Sequence, residues 1–390
     1  MATATASVQN ESSSNKTLRR FTKHRAAMIS SVILAILVLL AIFAPIVAPY
    51  APDKIDASNL YAASSSQHWM GTDGLGRDVF SRVLHAGRVS LLVGVAVALL
   101  SAMIGVVMGL VAGYYSGIPW VLSVGTGSQL WQERKKTEGS SFLWRTGLRW
   151  LVWAVVVGFL LQITAQFAST FAGALAFLAW VVGGGLALFV AYSAFYKAIV
   201  VDIDSAISRL IDVMLSLPQI PFLLILAGLL ANPDVALGNV LTGVFGELRS
   251  MVLIIFVLTI FGWLGTARVI RGLVLSLRQQ EFTDAARAIG VSDWRIMLRH
   301  LLPNAVAPII VQVTLDVGNN IVSEAALSFL GFGIQEPTAS WGNMLSSAQE
   351  AIFQSPFTVF WPGLFILLTS LSINFLGDGL RDALDPRSRL

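Results

Sequence analysis

Long apolar runs separated by short polar segments make up most of this chain. A helix needs about 20 mostly apolar residues to cross a bilayer. Eight stretches meet that requirement: Ala26–Ile46, Val89–Gly113, Trp150–Phe167, Thr170–Tyr196, Ser208–Ala231, Ser250–Val269, Ala305–Leu327 and Phe357–Gly377. The third and fourth form one uncharged stretch that is too long for a single crossing, so we expect a turn near residues 166–170. The pattern predicts an all-α membrane protein, a polytopic bundle of about eight transmembrane helices.

The composition agrees with a membrane-embedded chain. Hydrophobic residues make up 55% of the 390 residues and charged residues only 12%, with a mean hydropathy of +0.73. A soluble domain carries about 25% charged residues. The sequence has no cysteine, which excludes disulfides, thiol catalysis and Cys-based metal sites. The histidines lack metal-ligand spacing, so no metal site is expected: they are His24, His68, His85 and His300.

The distribution of Lys and Arg predicts the orientation of the spans. Five of the 26 such residues fall in segments on one side of the predicted spans: Lys54, Arg77, Arg82, Arg88 and Arg249. Because cytoplasmic loops carry the excess of Lys and Arg, both termini and residues 281–303 are predicted to be cytoplasmic. The same asymmetry accounts for the net charge of +4, so no nucleic-acid partner is expected. The first apolar run is longer than a signal-peptide core, which predicts a retained first helix.

Residues 281–303 form a polar, Arg-rich segment between two apolar runs. Residues 281–289 are good helix formers, and Gly290 suits the left-handed position that ends a helix. Ser292 is placed to cap a second helix, which would run to Pro303 at the start of the next span. Two short helices are therefore predicted. One interpretation is an amphipathic helix lying on anionic lipid; the other is a contact with a protein partner.

The spacing within this segment resembles a known motif. Glu281-x3-Ala285-Ala286-x3-Gly290, followed by Leu-Pro ending at Pro303, is similar to the "EAA" coupling loop of ATP-binding-cassette (ABC) importer permeases. The small side chains of Ala285 and Ala286 are expected to let a partner surface approach the backbone. The charges available to acidic groups or lipid head groups are Arg287, Arg295 and Arg299.

Three further segments resemble the second membrane subunit of the dipeptide, oligopeptide and nickel permease branch: His68–Asp78, Glu324–Gly333 and Asn374–Pro386. The resemblance covers residues 1–117 and 201–390. His300 departs from the general EAA pattern, which has Ile there, although His fits the peptide branch. Residues 118–200 look like an insertion, and its two spans leave the orientation of the later spans unchanged.

The resemblance implies a transport subunit and not an enzyme. Two permease subunits, expected to be a heterodimer, would form the path, two ATPase subunits would bind the cytoplasmic loops, and an extracytoplasmic solute-binding protein would deliver solute. No cofactor is expected on this chain, because it lacks Gly-x4-Gly-Lys-Ser/Thr and ATP and Mg would bind to the ATPase subunits. The expected location is the lipid of the bacterial inner membrane. The residues expected to contact the ATPase are Glu281, Ala285, Ala286, Ile289, Gly290, Trp294 and Pro303.

Polar residues and prolines within the predicted spans are candidates for the translocation path: Asp316, Asn319, Asn320, Glu324, Pro218 and Pro221. Asp316 and Glu324 lie eight residues apart, roughly on one helix face. Ionisable groups at membrane depth are commonly functional. The alternative is that Glu324 lies at the outer interface and pairs with Arg or the backbone. The prolines are expected to kink their span, for a path or for structural reasons alone.

Gly105, Gly109 and Gly113 recur every four residues in the second predicted span. This spacing predicts close helix packing, either within the subunit or at a dimer contact.

The predicted organisation has five parts: a cytoplasmic tail over 1–25, two spans with an exterior loop over 26–117, the insertion 118–200, a core permease domain over 201–380, and a cytoplasmic tail over 381–390. The predicted function is import of di- or oligopeptides. Import of nickel or another small solute is an alternative, as is a self-sufficient secondary transporter or channel. An intramembrane enzyme is disfavoured because the sequence has no His-Glu-x-x-His or Gly-x-Ser-x-Gly.

Overall fold

The computed structural model describes residues 19–122, 158, 199–231 and 245–384. The chain divides into two compact units, Met1–Tyr114 with Leu210–Leu390, and Tyr115–Arg209. The predicted spans Trp150–Phe167 and Thr170–Tyr196, and most of the predicted insertion, lie outside the described residues.

Helices form the framework of the larger unit. In chain order the helices of the described residues are α1 (Arg25–Ile42), α2 (Ala44–Val47), α3 (Val79–Tyr114), α4 (Ile203–Ser216), α5 (Gln219–Ala231), α6 (Arg249–Leu277), α7 (Glu281–Ala288), α8 (Asp293–Ile296), α9 (Leu302–Phe329), α10 (Trp341–Ala348) and α11 (Phe357–Leu384). Short 3₁₀ turns precede α6 and follow α10, at Gly246–Leu248 and Gln349–Ala351. A π turn, Met297–Leu301, joins α8 to α9, so Asp293–Phe329 is one continuous helical stretch.

Five stretches of the described residues are long and apolar enough to cross a membrane: α1, α3, α6, Asp293–Phe329 and α11. They confirm the predicted spans that begin at Ala26, Val89, Ser250, Ala305 and Phe357. The all-α, polytopic fold class is therefore confirmed.

The predicted span Ser208–Ala231 is broken and not merely kinked. Helices α4 and α5 meet at a bend of 88°, with Leu217 and Pro218 between them. Pro218 has no N–H to donate, and its ring disfavours the helical conformation at Leu217. The helix therefore stops and restarts, and together the two halves provide at most one further span.

The second helix predicted within 281–303 also differs from expectation, because it does not end before the next span. Pro303 is the second residue of α9, which directly follows the π turn, so its missing N–H falls where the helical hydrogen-bonding pattern already changes. The π turn just before Pro303 keeps the helix continuous through this position.

Helix α3 packs closely along α6 through its small residues. A methyl group on Gly109 would lie 2.7 Å from the carbonyl oxygen of Ala267, and one on Gly105 or Gly113 would meet α6 at 2.7–2.8 Å. The predicted close packing thus occurs within the subunit, between α3 and α6.

A second centre of packing surrounds Trp341, the first residue of α10. Its side chain is 1% exposed, and its indole N–H donates to the carbonyl oxygen of Val83 at 3.0 Å. Ser340 and Asn343 form a reciprocal capping box at the start of α10. This cluster fixes α10 against α3, α9 and α11.

The larger unit has two polar ends. One, called here the α7 end, contains α7, α8 and the last residue of α3, Tyr114. The other, called the α10 end, contains α10, the loop before α3 and the first turn of α3. In this end, Arg77 of the loop forms a 3.0 Å ion pair with Glu336, which lies in the segment before α10. The side of the membrane on which each end lies stays a prediction.

The smaller unit contains a feature that the apolar pattern did not predict. Strands β1 (Pro119–Leu122) and β2 (Ile199–Asp202) pair antiparallel, with Trp120 opposite Val201. Near this ladder, the hydroxyl of Ser116 donates to Asp204 at 2.6 Å. The chain between the strands therefore leaves and returns through a two-stranded ladder.

Candidate functional site

The segment 281–303 folds into a short helix, a tight turn and the start of a long helix. Helix α7 ends in a Schellman motif, in which the N–H of Val291 donates to the carbonyl of Ala286 and that of Gly290 to the carbonyl of Arg287. Gly290 has a φ of +77°, as its predicted role in ending the helix requires. Ser292 is the N-cap of α8, but its side chain makes no capping hydrogen bond.

Two hydrogen bonds hold this segment to the ends of α3 and α6, and a third joins those two helix ends to each other. The phenol of Tyr114 donates to Asp293 at 2.7 Å, and the carbonyl of Tyr114 accepts from the Arg278 guanidinium at 2.8 Å. The hydroxyl of Thr283 donates to the carbonyl of Leu277 at 2.9 Å. Tyr114 and Thr283, which donate the two bonds to the segment and from it, are both buried, so the bonds start from fixed side chains and hold α7 in position.

The outer face of the segment has exposed apolar side chains beside charged residues of both signs. Ile289 is 80% exposed and Trp294 58% exposed. Two further apolar side chains, Phe282 and Leu298, are also exposed. The exposed basic side chains are Arg287, Arg295 and Arg299, of which Arg287 pairs with Asp284 at 3.4 Å. The exposed acidic side chains are Glu281, Asp284 and Asp293, so this face offers apolar contacts beside charges of both signs.

One expectation about this face is wrong. Ala286 is only 4% exposed and packs inside the chain, whereas Ala285, Glu281 and Gly290 are exposed. Of the two alanines, only Ala285 leaves the backbone open to a partner. Pro303 is exposed as well, but it lies beyond the π turn, within the first turn of α9.

The polar residues of α9 divide between two environments. Asp316 accepts from Thr266 of α6 at 3.1 Å and from Gln312 at 2.9 Å. Asn320 is 9% exposed, and its buried Nδ2 atom has no hydrogen-bond partner among the described residues. Asn319, in contrast, is exposed, so it does not share the buried face on which Asp316 and Asn320 lie.

Glu324 is fully buried at the centre of a hydrogen-bond network. It accepts from the hydroxyl of Ser90 on α3 at 2.9 Å and from that of Ser328 at 2.7 Å. The Ser90 hydroxyl in turn accepts the backbone N–H of Trp341 at 3.3 Å. The pairing with Arg that we considered for Glu324 is therefore wrong, because its partners are serine hydroxyls. Its depth in the membrane stays a prediction. The carboxylate joins α3, α9 and α10.

The two prolines of the candidate path lie at the break between α4 and α5. Pro218 precedes the first residue of α5, Pro221 is the third residue of that helix, and both are exposed. Helix α5 packs on α6, where the rings of Phe222 and Phe261 meet edge-on with centroids 5.3 Å apart.

An ionic cluster at the α10 end was not anticipated. Asp73 accepts from Arg77 at 2.7 Å and from Arg82 at 3.1 Å, and both guanidinium groups also reach Glu336, at 3.0 and 3.2 Å. Arg82 is only 2% exposed. The cluster ties the loop before α3 to the segment before α10, and borders a cavity of about 250 Å³. The cluster's residues lie within or near two of the segments that resemble the peptide permease branch. That resemblance was the one feature of the sequence that could have pointed to the cluster.

A carboxylate in the same loop has an unusual acidity. The hydroxyl of Ser58 and the amide of Asn59 donate to Asp56, at 2.5 and 2.9 Å, and the backbone N–H of Ser58 donates at 3.0 Å. These bonds favour the charged form and lower the pKa of Asp56 from 3.8 to about 2.

Within the described ranges, no group of three or more His, Asp or Glu side chains is placed to hold a metal ion.

Comparison with known proteins identifies relatives along nearly the whole chain. Residues 183–390 match the model of the family described as "binding-protein-dependent transport system inner membrane component", and residues 14–63 match that of the N-terminal transmembrane domain of oligopeptide transport permease C. The chain is 31% identical over 375 residues to a dipeptide transport system permease protein of Alkalihalophilus pseudofirmus, covering 95% of this chain and 89% of the relative.

Two other relatives are similar to the same extent. A glutathione transport system permease protein of Escherichia coli O157:H7 is 33% identical over 370 residues, covering 95% of this chain and 89% of the relative. A putative peptide permease protein of Brucella suis is 31% identical over 377 residues, covering 96% and 91%.

Proposed function

Because the chain belongs to the family of binding-protein-dependent transport system inner membrane components, the permease subunits of ABC importers, we propose that it imports peptides and is driven through residues 281–303. The chain is a multi-pass inner membrane protein, and as a permease subunit it is not itself an enzyme. In the proposed assembly it pairs with a second permease subunit, two ATPase subunits and an extracytoplasmic solute-binding protein.

The observation that carries the coupling role is the combination of an exposed apolar face with a rigid attachment. Ile289 and Trp294 project at 80% and 58% exposure from a segment whose other side is bonded to α3 and α6. A mobile linker would not need the Schellman motif or the buried hydroxyl of Thr283. A partner that grips this face therefore moves the ends of three membrane-spanning helices with it.

The transmission of movement follows from the same contacts. Asp293 begins the continuous helix that includes α9, so a displacement of α7 reaches α9 directly and reaches α3 through Tyr114. Closure of two ATPase subunits would then move the helices as nearly rigid bodies. ATP and Mg bind on those subunits, and this chain supplies the lever.

Peptides are proposed as the substrate because relatives of similar identity carry names of dipeptide, peptide and glutathione permeases. Each of the three names refers to a peptide. Nickel or another small solute is the alternative within the same family. Selectivity is expected to reside largely in the solute-binding protein, so uptake by the complete transporter must be compared for these solutes.

The path is proposed to run beside the exposed residues of α9 and the break between α4 and α5. Asn319 is exposed, and Pro218 and Pro221 are exposed at the break. Asp316, Asn320 and Glu324 face the interior of the subunit, where they position α9 beside α3 and α6. Since the native chain has no cysteine, Asn319→Cys provides a single reporter thiol. We expect a water-soluble thiol reagent to label it and a transported dipeptide to slow that labelling.

The coupling role is tested with Ile289→Asp in the complete transporter reconstituted in proteoliposomes. We expect ATP-dependent uptake of a labelled dipeptide to fall at least tenfold, because a charged side chain is placed in an apolar contact. The matched control is Ile55→Asp, which changes an exposed isoleucine, 62% exposed, in the loop at the α10 end. Membrane insertion of both variants is checked by yield and size-exclusion profile.

Three outcomes count against the proposal. Normal uptake in Ile289→Asp rejects the coupling role. Uptake by the purified chain alone, without nucleotide, indicates a secondary transporter or channel. Uptake of Ni²⁺ with no uptake of dipeptide or glutathione rejects the peptide assignment while leaving the coupling role intact.

A further inference from the structure

An apolar crevice runs along the surface of the larger unit among α1, α3, α9 and α11. Its volume is about 610 Å³. Its lining is aliphatic apart from Thr314 and one charged residue, Arg88. Leu34 and Ile42 of α1 and Leu376 of α11 also contribute. The crevice is thus a groove between membrane-spanning helices with a cation on its wall.

Arg88 directly precedes the long apolar part of α3. It is the last charged residue before the uncharged run 89–114, and it follows Val79, the first residue of the helix, by nine positions. At 1.5 Å per residue the 36-residue helix is about 54 Å long, which exceeds the roughly 40–45 Å of a complete bilayer. Arg88 lies about 14 Å along the axis from the first residue of α3 and directly precedes the uncharged run, so in the proposal below it is assigned to head-group depth.

The crevice descends from Arg88 towards the middle of the bilayer. Val95, also on its wall, is seven residues farther along α3, or about 10 Å deeper. Helix α1 runs in the opposite direction, so Ile42 lies at the level of Arg88 and Leu34 lies deeper. The crevice thus combines one cationic side chain at its mouth with a long aliphatic groove, which matches the charged head and apolar tail of a lipid.

Arg88 has no internal partner in the part of the chain that the structure describes. Its side chain is exposed and makes no hydrogen bond or ion pair with the described residues. The ionic cluster of Arg77 and Arg82 uses both neighbouring carboxylates, Asp73 and Glu336. An arginine left free at head-group depth next to an acyl-shaped groove fits an anionic phosphate carried on a lipid.

We propose that this crevice is a binding site for one glycerophospholipid of the leaflet at the α10 end. The phosphate pairs with the guanidinium of Arg88, and one acyl chain lies in the groove along Val95. The lipid fills the gap between α1 and α3 and holds α1 against the rest of the unit. This inference is independent of the coupling role and of the transported solute.

The proposal is tested by native mass spectrometry of the full-length chain in detergent, titrated with phosphatidylglycerol. We expect one saturable lipid adduct. Arg88→Gln should weaken its binding about fivefold, the effect of one arginine at a phosphate surface. Lys54→Gln removes a positive charge at the same end without touching the crevice and should leave binding unchanged.

A second pair of variants tests the groove. Val95→Trp fills it and should abolish the saturable adduct, whereas Leu99→Trp, a position 53% exposed outside the crevice, should not. Two further ligands distinguish binding of the phosphate head group from binding of the acyl chain. A diacylglycerol with the same chains should bind about fivefold more weakly than phosphatidylglycerol, and equally to the wild type and Arg88→Gln. Glycerol 3-phosphate should not compete.

Several results would overturn the proposal. Equal phosphatidylglycerol binding in all four variants shows that detergent and lipid coat this surface without a site. Competition by glycerol 3-phosphate shows a phosphate site that needs no acyl chain. If Val95→Trp leaves lipid binding intact but reduces recovery of a co-purified second permease subunit, the crevice is a protein interface.

Discussion

The phenol of Tyr114 donates a hydrogen bond of 2.7 Å to the carboxylate of Asp293, across 179 positions of sequence. Tyr114 ends α3 and Asp293 begins α8. The Tyr114 ring also lies 5.3 Å from the Arg287 guanidinium, and its carbonyl accepts from Arg278. One buried residue thus connects the end of α3, the end of α6 and the proposed coupling segment.

Tyr114→Phe removes only the hydroxyl of this connection. Because Asp293 is exposed and can be hydrated by water, the expected loss of stability is small, about 0.5–1.5 kcal/mol. ATP-dependent uptake should fall severalfold, since α3 then follows α7 less closely. The measurement is dipeptide uptake by the complete transporter beside thermal unfolding of the purified chain.

Tyr50→Phe is the matched control, because its hydroxyl makes no hydrogen bond with the described residues and it lies at the other end of the unit. Uptake in Tyr114→Phe equal to that of the control would remove Tyr114 from the coupling route.

Close packing of α3 on α6 gives a second prediction. Gly109→Ala places a methyl group 2.7 Å from a backbone oxygen of α6, which cannot move without displacing the helix. We expect a loss of about 1–3 kcal/mol, the usual effect of overpacking. Gly265→Ala, on the same pair of helices but with open space around the new methyl group, should be neutral or up to about 1 kcal/mol stabilising. The two variants are compared by their thermal unfolding midpoints in the same detergent. Equal shifts of the midpoint from that of the wild type would contradict the close packing of α3 on α6.

The spans were predictable because each is a property of a local apolar run. The break between α4 and α5 was partly predictable, since Pro218 prevents a continuous helix, but the bend of 88° depends on tertiary packing. Strands β1 and β2 are largely apolar, but at four residues each they are too short to be distinguished as strands from the sequence pattern. Contacts such as that of Ser90 with Glu324, 234 positions apart, need the helix pairing first.

In the candidate site, too, some features follow from the local sequence and others depend on tertiary packing. The end of α7 at Gly290 followed from residue type, because a left-handed φ favours glycine. Which of Ala285 and Ala286 faces outward depends on the rotation of α7 about its axis. That rotation is set by the contacts of Thr283 and Tyr114, which the sequence does not reveal. The coupling role itself comes from the family resemblance, and the Ile289→Asp experiment tests it.

The third prediction concerns the dependence of thermal stability on pH. The pKa of Asp56 is lowered to about 2 from 3.8, so its hydrogen bonds contribute stability fully above pH 3.8. That contribution is lost as the pH falls through about 2, where the folded carboxylate takes up its proton. We therefore expect Asp56→Asn to lower the thermal midpoint slightly at neutral pH, and the difference from wild type to shrink below pH 3.8. Asp53→Asn, an exposed loop acid without side-chain hydrogen bonds to the described residues, should show no such trend.

The network around Glu324 gives the fourth prediction. Both hydroxyls that donate to Glu324 also accept a backbone N–H, so the carboxylate is linked through them to the backbone of two further segments. Glu324→Ala leaves Ser90 and Ser328 without that acceptor and opens a cavity. The expected loss is about 2–5 kcal/mol. Glu324→Gln keeps the volume and one acceptor oxygen, so its loss should be nearer 1 kcal/mol.

Val322→Ala is the control for these variants, because Val322 is on the same helix but 46% exposed, so its truncation removes little internal packing. The expected order of thermal midpoints is therefore Val322→Ala, then Glu324→Gln, then Glu324→Ala at the lowest temperature. A path role alone would give a different pattern, in which both Glu324 variants lose uptake with unchanged midpoints. Equal midpoints for all three variants would mean that Glu324 does not join α3, α9 and α10 as its hydrogen bonds indicate.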